Sequence, residues 1–260
     1  MISNRANAID LNSDLGEGVR PATTGDDAML SLVSSANIAC GGHAGDHETM
    51  FRTLSVAAMN GVVVGAHPGY NDREGFGRRL IPMPIDQVGP MVAAQIGALQ
   101  AIAALVPVPV SYVKPHGALG NLAARDADIA RAIVETVQAL DGNLAILAIS
   151  GTELEVVARH AGTQVFSEVF ADRAYQSNGQ LVPRDRPGAV LHDPREAADR
   201  MLEFLHTGLM PVVDGHPIPL NAHSICVHGD SEGAVAMARL LRDELVAAGL
   251  QLTGFANSLR

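Results

Sequence analysis

Hydrophobic and polar positions along the chain fall into two alternating periods. Short apolar runs at 8–14, 36–40, 62–66, 110–114, 144–149, 164–169 and 224–227, with an eighth at 250–255, read as strands, and the loops after them carry Gly, Asp or His. Segments at 26–33, 47–60, 85–105, 126–140, 153–160, 195–206 and 232–248 place apolar residues every three to four positions and read as helices. The punctuation agrees: Asp46 stands where an N-cap is needed, Gly61 and Gly249 where helices stop, and Pro194 near a helix start. Strand, loop and helix repeated in this way predict an α/β fold with a parallel sheet and helical crossovers. Seven or eight such units in 260 residues suit a single domain, 1–260, built as a seven- or eight-stranded β/α barrel, closed or incomplete. A doubly wound open sheet is the rival, and both architectures bind ligands at the carboxyl ends of the strands. Two loops, 68–84 and 172–193, are too long and too rich in Gly, Pro and Arg for simple connections, and are expected to run over the rim and carry function.

Polar residues accumulate at those carboxyl ends. Asp10, Asn12 and Asp14 recur at every second position of the first strand, one face by its period of two, and Glu17 follows in the loop. The second strand runs into Cys40-Gly41-Gly42-His43-Ala44-Gly45-Asp46, whose glycines are expected to let backbone approach a ligand. The third ends at His67, the fourth at Lys114-Pro115-His116, the sixth at Glu168 and Asp172-Arg173, and the seventh at His228-Gly229-Asp230. Four of the ten histidines thus share one topological place on four strands, which packing alone does not require. Singly, each has a structural reading: Asp10 bonding its neighbours, Asp46 and Asp230 capping helices, Asp172 and Arg173 pinning their loop. His43 and His47 stand four apart, a metal-binding spacing on a helix, but Gly45 and the cap at Asp46 interrupt that helix.

Composition narrows the partners. The net charge is −10, there is no basic cluster, and no Trp, with only three Tyr and six Phe, so neither nucleic acid nor an anionic membrane is expected. No signal-peptide core or membrane-length apolar run is seen, which makes the cytoplasm the expected location. Cys40 and Cys226 lie in apolar runs and read as buried thiols. There is no P-loop, dinucleotide fingerprint or nucleophile elbow. Of the 18 cationic side chains, 17 are Arg, and the only lysine is Lys114. Lysine, unlike arginine, can be tuned as an acid, base or nucleophile, or bind an oxyanion as a compact charge, so its placement beside His116 points to chemistry.

An ordered set of motifs resembles the LamB/YcsF family: Asp10-Leu11-Asn12-x-Asp14-Leu15-Gly16-Glu17, Ser35 through Asp46, Gly65-Ala66-His67-Pro68-Gly69-Tyr70, Gly75-Phe76-Gly77-Arg78-Arg79, Val113-Lys114-Pro115-His116-Gly117-Ala118, Phe170-Ala171-Asp172-Arg173-x-Tyr175 and Cys226-Val227-His228-Gly229-Asp230. It departs from the family at Ser13, usually Cys, at His47, usually Pro, and at Gly120, where Tyr is expected. The resemblance implies a barrel of the glycoside hydrolase and deacetylase type. It also implies ATP-dependent opening of 5-oxo-L-proline to L-glutamate together with partner subunits B and C. ATP, with Mg2+ on the nucleotide, is the implied cofactor, and no protein-bound metal is expected. On that reading Lys114, His116, Asp14 and Glu168 are the catalytic candidates. Asn12, His43, His67, Arg173 and His228 would orient the substrate. Two alternatives stay open: a metal-dependent amide or carbohydrate deacetylase using Asp14, His43 and His47, and a non-catalytic subunit that binds a metabolite for its partners. Homo-oligomerisation is open as well.

Overall fold

The first strand, β1 (Ala8–Leu15), is paired along both edges, and that closes the fold. The structure is a computed structural model that describes residues 8–18, 24–228 and 233–256. Along one edge β1 meets β2 (Ser35–Ala39), with Asp14 opposite Asn37. From there β3 (Val63–His67), β4 (Val110–Val113), β5 (Ala145–Ile149), β6 (Val165–Phe170) and β9 (Ser224–Cys226) follow in order, all parallel. β9 returns to the other edge of β1, with Asp10 opposite Ser224 and Asn12 opposite Cys226. The result is a closed seven-stranded barrel, which excludes the open doubly wound sheet. The expected eighth strand exists as β10 (Gln251–Leu252), and among the described residues it pairs only with Ala8 and Ile9 at the foot of β1.

Helices α1 (Thr24–Leu30), α2 (His47–Asn60), α3 (Ile85–Ala103), α5 (Ala127–Leu140), α6 (Glu153–His160), α7 (Pro194–Thr207) and α8 (Ala234–Ala247) occupy the expected crossovers. Their ends carry the anticipated caps. Asp46 accepts the Thr49 N–H at 2.8 Å, Gly61 ends α2 at φ +67°, and Pro194 opens α7. Leu11, Leu15, Ile38, Leu54, Ile96 and Leu99 fill the layer between strands and helices. Elements that sequence periodicity missed are α4 (Gly117–Ala123), a seven-residue helix with two glycines, and the hairpin of β7 (Leu209–Met210) and β8 (Ile218–Pro219). Gly229 and Asp230, and the predicted helix start at 232, lie outside the described residues. No helix among the described residues is long and apolar enough to cross a membrane.

On the β1 side the barrel interior is polar, because the inward positions of β1 are Asp10, Asn12 and Asp14 while Leu11, Ser13 and Leu15 face outward. Ser13, facing outward, donates its hydroxyl to the Val227 carbonyl at 2.7 Å and takes no part in the interior. Opposite β1, Tyr112 fills the lumen because β3 has no side chain at Gly65, where an added Cβ would fall within the Tyr112 ring. The register between β3 and β4 slips at the same point, between Val64 and Gly65.

Candidate active site

From the foot of the barrel upward, each polar layer orients the next. Asp10 accepts hydrogen bonds from Ser34 Oγ at 2.6 Å, Ser35 Oγ at 2.7 Å and Ser224 Oγ. Burial outweighs those bonds and pushes its carboxyl up to about 6. Asn12 donates to Ser224 Oγ at 2.6 Å and to Glu168 Oε1 at 2.9 Å, and its own oxygen accepts from Asn37 at 2.7 Å. Asn37 is held in turn by the Tyr112 hydroxyl at 2.7 Å and donates to Asp14 Oδ1 at 2.8 Å. Every amide in this chain is oriented by a fixed partner.

Lys114 extends from the end of β4 into this framework and is 4% exposed. Its Nζ lies 2.8 Å from Glu168 Oε1, 3.0 Å from Asp14 Oδ1, 3.1 Å from Cys226 Sγ and 3.3 Å from Asn12 Oδ1. Burial opposes the charge, but Asp14, the Cys226 sulfur and Glu168 outweigh it and hold the ammonium well above the ordinary lysine range. Its two carboxylate partners diverge. Burial works against ionised Asp14, yet His67 and Lys114 overcome it and hold that carboxyl well below its usual range. Burial prevails at Glu168 over Lys114 and Asn12 and raises its pKa. Neighbouring carboxyls pushed in opposite directions are a pattern for acid and base roles. Cys40 and Cys226 are both buried free thiols, as expected.

Beside this ammonium three histidines converge from three strands. His67 Nδ1 donates to the Lys114 carbonyl at 2.6 Å and His116 Nε2 to the Phe76 carbonyl at 2.9 Å. His43 Nε2 sits 2.8 Å from Glu17 Oε1, and the His43 and His116 rings stack at 3.5 Å with 4° between planes. Burial first, and neighbouring His67 second, depress His43 to about 3 and His116 to about 2, so both rings are neutral. The 68–84 loop positions this cluster: Phe76 adopts φ +54°, a costly left-handed conformation for its residue type, and thereby turns its carbonyl to His116.

At the rim, Asp172 accepts from His228 Nδ1 at 2.8 Å. Arg173 donates to the carbonyls of Val182 at 2.6 Å and Ala189 at 3.3 Å, so it pins the 172–193 loop from within. A cavity of about 700 Å³ opens above Asp14, Lys114 and Glu168, with Arg78, Arg125, Arg173 and Arg184 in its wall. That volume lies in the ligand-cleft range of roughly 300–1,000 Å³.

Asn12, Asp14, His43, His67, Lys114, His116 and Glu168 therefore form one connected group, with Arg173 and His228 at its edge. Several expectations are corrected. His47 opens α2 exposed to solvent while His43 is buried, so no Asp14, His43 and His47 metal set exists. Two of the glycines after β2 are required by the fold itself. A Cβ on Gly45, at φ +81°, would meet the Ala39 carbonyl at 2.5 Å, and one on Gly42 the Gly69 carbonyl at 2.6 Å. Among the described residues, two groupings of possible metal-ligating side chains occur: Glu17, His43, His67 and His116, and Asp14, Cys226 and His228. In the second, the Lys114 ammonium already contacts Asp14 and Cys226 and occupies the place of a cation. Sequence reasoning passed over Glu17 as a site residue, and Asn37 and Tyr112 altogether. Asn37 was the readable signal, a polar side chain inside an otherwise apolar strand.

The LamB/YcsF family model matches residues 9–260. The A subunit of 5-oxoprolinase from Rhodopseudomonas palustris (strain ATCC BAA-98 / CGA009) is 46% identical over 252 residues, covering 96% of this chain and 99% of the relative. Its counterpart from Paracidovorax citrulli (strain AAC00-1) is 50% identical over 249 residues, covering 95% and 99%. Among solved structures, the lactam utilization protein from Thermus thermophilus superposes with a TM-score of 0.88 at 41% identity, covering 95% of this chain and 99% of that one. A T48 deacetylase with substrate, 14% identical with a TM-score of 0.50 and covering 97% of this chain and 89% of its own, shares the fold alone.

Proposed function

The chain belongs to the LamB/YcsF family, and on that premise we propose that it is the A subunit of an ATP-dependent 5-oxoprolinase, opening 5-oxo-L-proline to L-glutamate with partner subunits B and C. The observation that carries this reading is the Lys114 ammonium, held permanently charged between Asp14 and Glu168 at the floor of an arginine-walled cavity.

An unstrained lactam is a poor electrophile. Transfer of the γ-phosphoryl group of ATP to the carbonyl oxygen releases ADP and activates the carbon. Water then adds to that carbon, the C–N bond breaks as the nitrogen gains a proton, and loss of phosphate by hydrolysis leaves the second carboxylate of glutamate. In this scheme Lys114 meets the charge that builds on the carbonyl or phosphoryl oxygens. Glu168, whose pKa burial raises, supplies the proton to nitrogen. His228, which gives its Nδ1 proton to Asp172, has its other ring nitrogen as an acceptor for a proton from water. The arginines attract the substrate carboxylate and the phosphates of nucleotide carried with Mg2+. With no nucleotide loop of its own, this chain relies on subunits B and C to complete the ATP site.

The test is reconstitution of the three subunits with 5-oxoproline and ATP, reading glutamate release. Lys114→Met is expected to lower kcat by orders of magnitude while the complex still assembles, checked by gel filtration. A fully active complex containing Lys114→Met would mean that this chain is a metabolite-binding scaffold. ATP-dependent turnover by the chain alone at the rate of the complex would sink the division of labour.

A further inference from the structure

His67 and His116 have one hydrogen too few between them if both rings are neutral. A carbonyl oxygen only accepts, so the contacts with Lys114 O at 2.6 Å and Phe76 O at 2.9 Å place a proton on His67 Nδ1 and another on His116 Nε2. The two nitrogens left over, His67 Nε2 and His116 Nδ1, stand 2.9 Å apart, a separation that needs a proton between them. The contact is enforced from outside. The His116 ring lies against His43 at 3.5 Å, Phe76 meets it edge-on at 5.5 Å, and an added Cβ on Gly77 would fall 2.9 Å from its Cδ2. Packed on these sides, His116 is held in place. A metal ion is not the missing cation, because the parallel rings of His43 and His116 cannot aim their lone pairs at one point and His43 Nε2 is already engaged by Glu17.

We propose that this pair holds one proton more than two neutral rings, that the proton rests on His67 Nε2, and that the resulting imidazolium is a positioning residue that acts on the reaction through Asp14. The placement follows from what faces each nitrogen. Asp14 Oδ2 lies 3.3 Å from His67 Nε2, so an N–H there is shared between a carboxylate and the His116 ring. Glu17 Oε1 is 3.3 Å from His116 Nδ1 and 3.9 Å from His67 Nε2, but that oxygen already accepts from His43 at 2.8 Å. Burial, with His67 second, drives His116 down to about 2, and His67 leads the groups that keep Asp14 ionised against burial. From the other elements packed here come the Lys114 ammonium, which shares Asp14 with His67, the Cys40 thiol, pushed up to about 12 by burial, and His228, which also acts on Asp14. The consequence is a balance of charge at the cavity floor, where Asp14, Glu17, His67 and Lys114 all face the opening. With His67 charged, it and Lys114 offset Asp14 and Glu17. With His67 neutral, one negative charge would stand uncompensated beside the oxygen that becomes negative as a lactam opens. The catalytic part of this inference rests on the 5-oxoprolinase reading, whereas the ionisation of His67 does not.

NMR of isotope-labelled histidine nitrogens in the full-length chain, at about pH 7.5 where an ordinary imidazole is mostly neutral, tests the ionisation directly. The expected result is a proton on both ring nitrogens of His67, assigned through its own backbone. A single N–H on that ring overturns the proposal. In the reconstituted three-subunit complex, His67→Gln is expected to lower kcat roughly 10-fold or more, short of the roughly 100- to 1,000-fold typical of a group that touches the oxyanion, with KM for 5-oxoproline little changed. With one cation gone, Asp14 takes up its proton at higher pH, so the acid limb of kcat/KM should move upward in that variant. A folded variant whose acid limb stays in place shows a structural role only and overturns the positioning claim, as does an undiminished kcat. If the wild-type complex releases no glutamate, the 5-oxoprolinase reading has failed, and the NMR spectrum still decides the ionisation. Because that spectrum uses the wild type, an unfolded variant does not shield the proposal.

Discussion

At the scale of single residues, ionisation states do most of the work. Lys114 was legible in the sequence because the chain spends arginine on its other 17 cationic positions. Glu17 was not. It lies just past β1 in a sequence with no spacing rule, and its importance arises only when His43, His67 and His116 arrive from three other strands. Two predictions belong here. Asp10 binds its proton more tightly in the folded state, where burial raises its pKa to about 6 from 3.8, so ionising it destabilises the fold. Wild-type stability should therefore fall relative to Asp10→Asn as pH rises from about 4 to about 6.5, by on the order of 3 kcal/mol. Urea midpoints across that range measure it, and a difference independent of pH refutes it. Glu168→Gln should reduce kcat of the reconstituted complex roughly 100-fold or more. It should also abolish the loss of activity that deprotonation of Glu168 imposes on the wild type as pH rises. An unchanged alkaline limb would assign that limb to another group.

At the scale of elements, the period-two alternation of β1 was the most informative pattern, since it places Asp10, Asn12 and Asp14 in the lumen. What periodicity could not show is how neighbouring strands accommodate them. The pairing of Gly65 with Tyr112 is one such case: a small residue in one strand makes room for a ring in the next, and the ring's hydroxyl locks Asn37. Gly65→Ala should overpack the lumen and lower stability by about 1–3 kcal/mol in chemical denaturation. It should also reduce kcat, because displacement of Tyr112 releases the chain of amides beneath Lys114. Normal stability in that variant would show that the ring yields without penalty. The 68–84 loop was recognised from length and composition. Its actual task, turning the Phe76 carbonyl onto His116, follows from a left-handed residue that no composition reveals.

At the scale of the molecule, a chain with net charge −10 gathers Arg78, Arg125, Arg173 and Arg184 around one opening. Such an opening should favour anions over a background that repels them, and salt should weaken the preference. Raising NaCl from about 0.05 to about 0.5 M is expected to lower kcat/KM for 5-oxoproline several-fold and to leave that for a lactam without a carboxylate little changed. Equal responses for both would point away from the arginines. The barrel itself was readable from seven strand-and-helix units, whereas its closure was not, because nothing local records which strand meets β1 on its second edge.

That closure dictates when a newly made chain can fold. Asn12 depends on Glu168 and Ser224, which are translated 156 and 212 residues after it. While the ribosome is still producing the intervening helices, β1 has left the exit tunnel with charged and amide groups on its inner side and an unpaired edge where β9 will dock. Contacts this distant in sequence form slowly. A nascent polypeptide stalled before Ser224 would expose that edge to its neighbours, which makes the biosynthetic interval, more than the finished protein, the period when chaperones have something to protect.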